Sequence, residues 1–203
     1  SETDWSFGET GDEGSLAATH SEYPAITIVA GRQIVTAERL EVLGLGLTTE
    51  FEDGQPLVEI LGNVLEARAI PVVPWGFGKW LGHRRKVIND VIRQFSREAV
   101  YLGDNGGRPG ILPYPAEFVL AESNGMQILP GSDPLPFPSE YDRAGKFGFH
   151  VDCAEYGNNI WASLRRLLLS KGVVPMPYGS LETPYRFFRN QLRMQYLTRV
   201  ARR

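Results

Sequence analysis

The stretch Leu129-Pro130-Gly131-Ser132-Asp133-Pro134-Leu135-Pro136 ends an apolar run, Met126 to Leu129, on a glycine and delivers a Ser-Asp pair. A carboxylate at such a strand exit can serve as a general base or ligate a hard cation. Two earlier apolar runs end in comparable punctuation, Val72-Val73-Pro74-Trp75-Gly76-Phe77-Gly78-Lys79-Trp80 and Val100-Tyr101-Leu102-Gly103-Asp104-Asn105-Gly106-Gly107-Arg108-Pro109. Loops after the C-termini of parallel strands share one rim, so these three exits are expected to converge. On that reading Asp133 and Asp104 are the candidate catalytic carboxylates, and Asp133 is the candidate metal ligand. Lys79, Arg84 and Arg108 would neutralise an anion, for which arginine offers a bidentate fork. Trp75 would pack against an apolar part of the ligand, with Asn105 and Ser132 completing the lining. The alternative is that Asp-Asn-Gly-Gly and Gly-Ser-Asp-Pro are simply favourable turn sequences.

His83-Arg84-Arg85-Lys86 sharpens the anion reading, because a basic first turn opposes the helix macrodipole unless an anion sits there. Other chemistries lack their motifs. Gly76-Phe77-Gly78-Lys79 has no Walker A spacing and no Gly-x-Gly-x-x-Gly turn opens a helix, so no nucleotide cofactor is expected. His20, His83 and His150 are isolated from one another, Ser132 lacks the Gly-x-Ser-x-Gly elbow, and Cys153 stands next to Asp152 with no local sign of thiolate activation.

The elements that must position these groups alternate. Ala25 to Ala30 reads as a buried strand, Gln33 to Thr36 as a short second one and Leu40 to Leu47 as a third. Pro56 to Arg68 carries Leu57, Ile60, Leu61, Val64 and Leu65 at helical spacing, and the strand Ile70 to Pro74 follows. His83 to Glu98 then Ala99 to Leu102, and Pro115 to Asn124 then Met126 to Leu129, repeat the helix-strand pattern. Beyond the Pro-rich loop 130–138 come a strand over Lys146 to Val151, a helix over Asn159 to Ser170 and a last helix from Pro184. That helix has an apolar stripe, Tyr185, Phe188, Leu192 and Tyr196, and a basic one, Arg186, Arg189 and Arg193. Three helix-strand units in a row predict a mainly parallel β/α barrel-like fold.

The chain has 203 residues, 42% of them hydrophobic and 22% charged, which suits one substantial core. Residues 1–22, rich in Gly, Ser, Thr and acids, read as a loosely held leader, and 23–203 as a single α/β domain. A formal net charge of −3 gives no general pull toward nucleic acid. Its distribution is uneven: residues 1–25 hold six acids and no Lys or Arg, whereas residues 179–203 hold six Arg against Glu182. A homo-oligomer formed through the last helix is therefore one expectation. A single cysteine excludes an intrachain disulfide. With no apolar run of membrane-spanning length and no secretory signal pattern, the reading is a soluble, cytoplasmic protein with no membrane partner.

The order Gly31-Arg32-Gln33, Leu40 to Leu47, Ile70-Pro71-Val72-Val73-Pro74-Trp75-Gly76 and Gly131-Ser132-Asp133 resembles the later two-thirds of PHP-type (polymerase and histidinol phosphatase) metal-dependent phosphoesterases, over residues 25–155. The resemblance implies a distorted seven-stranded β/α barrel, TIM-like, with two or three metal ions at the strand ends. Gly31-Arg32-Gln33 stands where that family has Gly-x-Glu, Pro74-Trp75-Gly76 at its His-Pro strand end, and Ser132-Asp133-Pro134-Leu135 at its Ser-Asp-x-His motif. Asp133 is the one matching ligand. The expectation is a divergent or N-terminally shortened relative that binds an anionic, phosphorylated small molecule, with a degenerate site for one divalent ion (Mg, Mn or Zn). The alternative is a non-catalytic scaffold that self-associates through its C-terminal helix.

Overall fold

The computed structural model describes residues 4–95, 99–152, 159–170 and 172–200, the side chains of 198–200 excepted. Cys153 and the ends of two expected elements, Ser96 to Glu98 and the last three residues, lie outside that range. The strands are β1 (Ser6–Glu9), β2 (Ser15–Thr19), β3 (Ile26–Val29), β4 (Gly31–Val35), β5 (Glu41–Leu45), β6 (Ile70–Pro74), β7 (Tyr101–Asn105), β8 (Ile128–Gly131), β9 (Phe147–His150) and β10 (Met176–Gly179). The helices are α1 (Leu57–Glu66), α2 (His83–Gln94), α3 (Ala116–Ser123), α4 (Ile160–Leu169) and α5 (Pro184–Val200), with a 3-10 segment at Pro138–Arg143.

The expected parallel β/α barrel is not what the chain forms. Among the described residues there are three open sheets, ordered β1-β2-β3, β4-β5-β6-β7-β8 and β10-β9. The pairs β1/β2, β2/β3, β4/β5, β5/β6 and β9/β10 are antiparallel, whereas β7/β8 is parallel. The physical reason lies in the links. Only residues 36–40 join β4 to β5, far fewer than the dozen or so a parallel crossover needs. Thr36 accepts and donates at that corner, its amide donating to the Leu40 carbonyl and its hydroxyl receiving the Leu40 amide, while Arg39 takes φ 59°. Between β7 and β8, by contrast, α3 supplies a full crossover.

The segment expected to be a leader carries β1 and β2, which pair Phe7 with Ala18 and Leu16 with Ile28 across to β3. The strand expected to be buried at Ala25 to Ala30 is β3, whose Ile26 and Ile28 are exposed.

The chain divides into two compact units: Ser1–Val73 with Arg97–Tyr101 and Val151–Val174, and Pro74–Ser96 with Leu102–His150 and Pro175–Arg203. In the first unit, α1 buries the i, i+3, i+4, i+7 face predicted from its spacing, Leu57, Ile60, Leu61 and Val64. Pro56 precedes the helix, and both Glu38 carboxylate oxygens accept from the Leu57 amide, at 3.1 and 3.3 Å, which stabilises its start. Asp12 does the same for α4, accepting from the amides of Trp161 and Ala162 at 2.8 and 3.2 Å. In the second unit, Ile88, Val91 and Ile92 of α2 are buried, and Trp80 meets Phe118 of α3 edge to face at 5.6 Å.

Candidate functional site

The second unit brings the three strand exits together through one side chain. As β6 ends, the Trp75 amide donates to the Gly103 carbonyl of β7 at 2.8 Å. Asn105, the last residue of β7, turns its side-chain amide back: Nδ2 donates to the Trp75 carbonyl at 2.7 Å and to Asp133 Oδ2 at 3.3 Å. Beside it, the Gly106 amide donates to the Gly131 carbonyl at the end of β8, at 2.7 Å. A Cβ on Gly106 would stand 3.0 Å from the Ser132 carbonyl oxygen and 3.2 Å from Phe147 Cβ, so the close approach favours a glycine. The convergence expected from the punctuation of the runs is therefore present, although the sheet that produces it is not a barrel.

Nδ2 of Asn105 faces two oxygens, so the reversed amide would place oxygen against oxygen; this fixes the orientation. The cost is that Asn105 Oδ1 is buried without a hydrogen-bond partner. Asp133 itself is exposed and sits at φ 41°, in the left-handed region that Asp tolerates better than most residues. Strained backbone of this kind is found where a side chain must be aimed. Ser132 Oγ accepts from the Gly145 amide at 3.2 Å and so anchors a neighbouring turn.

Lys79 and Arg84 lie on the path that leaves the β6 exit for α2. The Lys79 amide donates to the Gly76 carbonyl at 2.9 Å, and its aliphatic stem covers Gly76, where a Cβ would come within 2.6 Å of Lys79 Cδ. Arg84 Nη2 donates to the Gly78 carbonyl at 3.0 Å. α2 begins after Gly82 at φ 60°, without a side-chain cap and without an acid in its first turn.

Asp104 and Arg108 have a different fate from that expected. Arg108 donates from Nε and Nη2 to the two carboxylate oxygens of Asp104 at 2.7 and 2.8 Å, and the residues are 4% and 7% exposed. A bidentate, buried pair of this kind holds the turn together and leaves neither partner facing solvent. Its surroundings are equally structural. The Glu182 amide donates to the Arg108 carbonyl and the Gly110 amide to the Glu182 carbonyl, both at 3.0 Å. Nearby, burial first and then the hydrogen bond to Glu122 hold the Tyr114 phenol above its ordinary pKa.

Sequence reasoning passed over three residues that shape this region. Arg143 donates to the Gly106 carbonyl at 2.8 Å and lies 3.7 Å from Glu182. Buried Glu140 accepts from Arg186 Nε at 3.2 Å and Arg189 Nη2 at 3.1 Å. Spacing signals only one of these contacts, Glu182 with Arg186 four residues on at 3.9 Å; Arg143 with Glu182, and Glu140 with Arg186 and Arg189, join residues about 40–50 apart in sequence.

A metal cluster does not fit these donors. Asn105 presents an amide N–H to Asp133, which donates rather than ligates, and both oxygens of Asp104 are taken by Arg108. Among the described residues no three His, Cys, Asp or Glu side chains come together as a cation site. No helix of the described residues is long and apolar enough to cross a membrane. No protein-family model matches the chain, and neither does any curated protein or solved structure.

Proposed function

We propose that the strand ends of the second unit bind a small anionic ligand, a phosphate ester with a polar body, and that Asp133 is the carboxylate that meets its polar body. The supporting observation is the single amide of Asn105, which ties the exits of β6, β7 and β8 to one another and holds Asp133 at their junction. Lys79 and Arg84, on the adjoining loop and first turn of α2, meet the charge; the uncapped α2 amides favour the same sign. Trp75, half-buried at the β6 exit, provides an apolar wall. Arg108 and Asp104 stay out of the binding step, since each is consumed by the other. Hydrolysis would require Asp133 to act as a base toward water, without a metal cluster.

The test is titration of the full chain with inorganic phosphate and with glycerol phosphate, followed by amide chemical shifts, together with a phosphate-ester hydrolysis panel with and without Mg²⁺ or Mn²⁺. Shifts confined to residues 75–84, 105–106 and 131–133, lost in Lys79→Ala and altered in Asp133→Asn, support the reading. No saturable shift with either probe rejects it. Binding without turnover keeps the site and removes the hydrolytic role of Asp133.

A further inference from the structure

A different pair of surfaces points beyond ligand binding. α5 docks on the second unit through the side its sequence makes basic. Arg186 and Arg189 reach Glu140, Arg193 Nη1 donates to Ser139 Oγ at 3.0 Å with its guanidinium 4.4 Å from the centre of the Phe137 ring, and Phe187 and Asn190 are buried. For Arg186, burial, which would lower its pKa, is outweighed by the bond and charge of Glu140 and by Glu182, so the guanidinium is held above its ordinary value. The aromatic stripe is thereby turned outward: Tyr185, Phe188, Leu192 and Tyr196 are 63–78% exposed. At roughly 100–150 Å² each this is on the order of 500 Å² of apolar-rich surface, in the upper part of the range of the largest patch a typical monomer exposes, which is often a contact site.

The sheet β1-β2-β3 of the first unit has a complementary face. Its register pairs Phe7 with Ala18 and Ile26, and Glu9 with Leu16 and Ile28, so these six side chains share one side. Phe7, Leu16, Ile26 and Ile28 are 45–65% exposed, whereas the other side carries Ser6, Ser15, Thr19 and Thr27. Residues 1–25 hold only acidic charges, with Asp4, Glu9, Glu13 and Glu22 exposed, and α5 holds four arginines and no acid. The dimensions agree as well. The stripe from Tyr185 to Tyr196 rises about 17 Å, and strands of four or five residues run about 13–17 Å.

We propose that the outer face of α5 docks on the β1-β2-β3 face of a second copy of this chain. A second copy is favoured over two like faces because α5 against α5 would bring together the part-exposed Arg189 and exposed Arg193 that flank the stripe, and sheet against sheet would bring Glu9 and its neighbours together. The joined patches account for over half of the roughly 800 Å² per partner of an ordinary interface. Each chain carries both faces, so the contact is head to tail and assembly grows with concentration unless a ring closes.

Sedimentation velocity on the full chain tests this with Phe188→Asp/Leu192→Asp and Ile26→Asp/Ile28→Asp. The wild-type chain is expected to gain mass with concentration, and each variant alone to stay monomeric. An equimolar mixture of the two should recover a complex of two chains and nothing larger, since only one intact helix meets one intact sheet. Milder Leu192→Ser and Ile28→Thr variants, checked for fold by circular dichroism, guard against unfolding and should weaken association several-fold. Glu9→Lys should weaken it as well, and the wild-type complex should loosen between about 0.05 and 0.5 M salt. A monomeric wild-type chain overturns the proposal. So does a mixture that stays monomeric, or association lost through the helix variant but untouched by the sheet variant. None of these residues belongs to the strand-end cluster, so ligand binding stands or falls separately.

Discussion

Asp104 and Asp133 both lie at the C-terminal end of the parallel pair β7/β8, Asp104 inside β7 opposite Pro130 and Asp133 two residues beyond β8, and they do opposite things. Asp104 is buried and accepts two hydrogen bonds from buried Arg108. Asp133 is exposed, at positive φ, with one amide N–H of Asn105 directed at it. A carboxylate withdrawn from water must have its charge compensated inside the protein, and once compensated it has little left to offer a ligand. Asp133 instead stays at the surface, in a left-handed backbone conformation, where solvent and a ligand can reach it. Burial, rather than position at a strand end, separates the structural acid from the candidate functional one.

The sharpest way to break this contrast is to remove one partner of the buried pair. Arg108→Ala leaves the Asp104 carboxylate uncompensated under the turn, with an expected loss of about 3–5 kcal/mol in stability. Urea unfolding measures it. A loss below about 1 kcal/mol would mean that Asp104 reaches water and belongs with Asp133 after all. Asn105→Ala comes next, at about 1–2 kcal/mol, because it removes the donor that joins the Trp75 carbonyl to Asp133. Its signature is a double one, lower stability together with loss of phosphate-induced shifts; stability lost with binding intact would reduce Asn105 to a structural clasp. Asp133→Asn should change stability by no more than about 0.5 kcal/mol, as surface substitutions do. A larger drop in the urea midpoint would place Asp133 among the structural acids.

Much of this contrast was hidden in the sequence for a definite reason. Apolar spacing located α1, β6 and α2 closely, since periodicity records which face is buried. Glycine and proline punctuation located the three exits, and the exits do meet. Strand direction leaves no such imprint: Leu40 to Leu47 reads the same whether its neighbours run parallel or antiparallel. The decisive signal was the short link 36–40, which only a hairpin can span. Asp104 and Arg108 were legible as charges near a strand end, but their pairing depends on a turn closed by the Arg108 amide on the Asn105 carbonyl, which the side chains alone do not announce. On α5 the two stripes were plain. Which stripe faces inward was decided by buried Glu140, an acid that makes an arginine face the adhesive one.

A third carboxylate tests the contrast at its weakest end. Asp142 is exposed, and its pKa lies below the ordinary 3.8, chiefly through the hydrogen bond from Lys146 and further through Arg186. Because the folded chain holds this proton less tightly than the unfolded one, the contribution is present above pH 3.8. It is lost as pH falls through the lowered folded value. The effect is small because solvent screens an exposed pair. Acid unfolding followed between pH 5 and pH 2 should therefore show Asp142→Asn slightly less stable than wild type at pH 5, with the two curves merging toward pH 2. Curves that stay apart at pH 2 would show that the variant costs something other than charge. Curves that diverge as pH falls would give Asp142 the opposite sign and put the Lys146 contact in doubt.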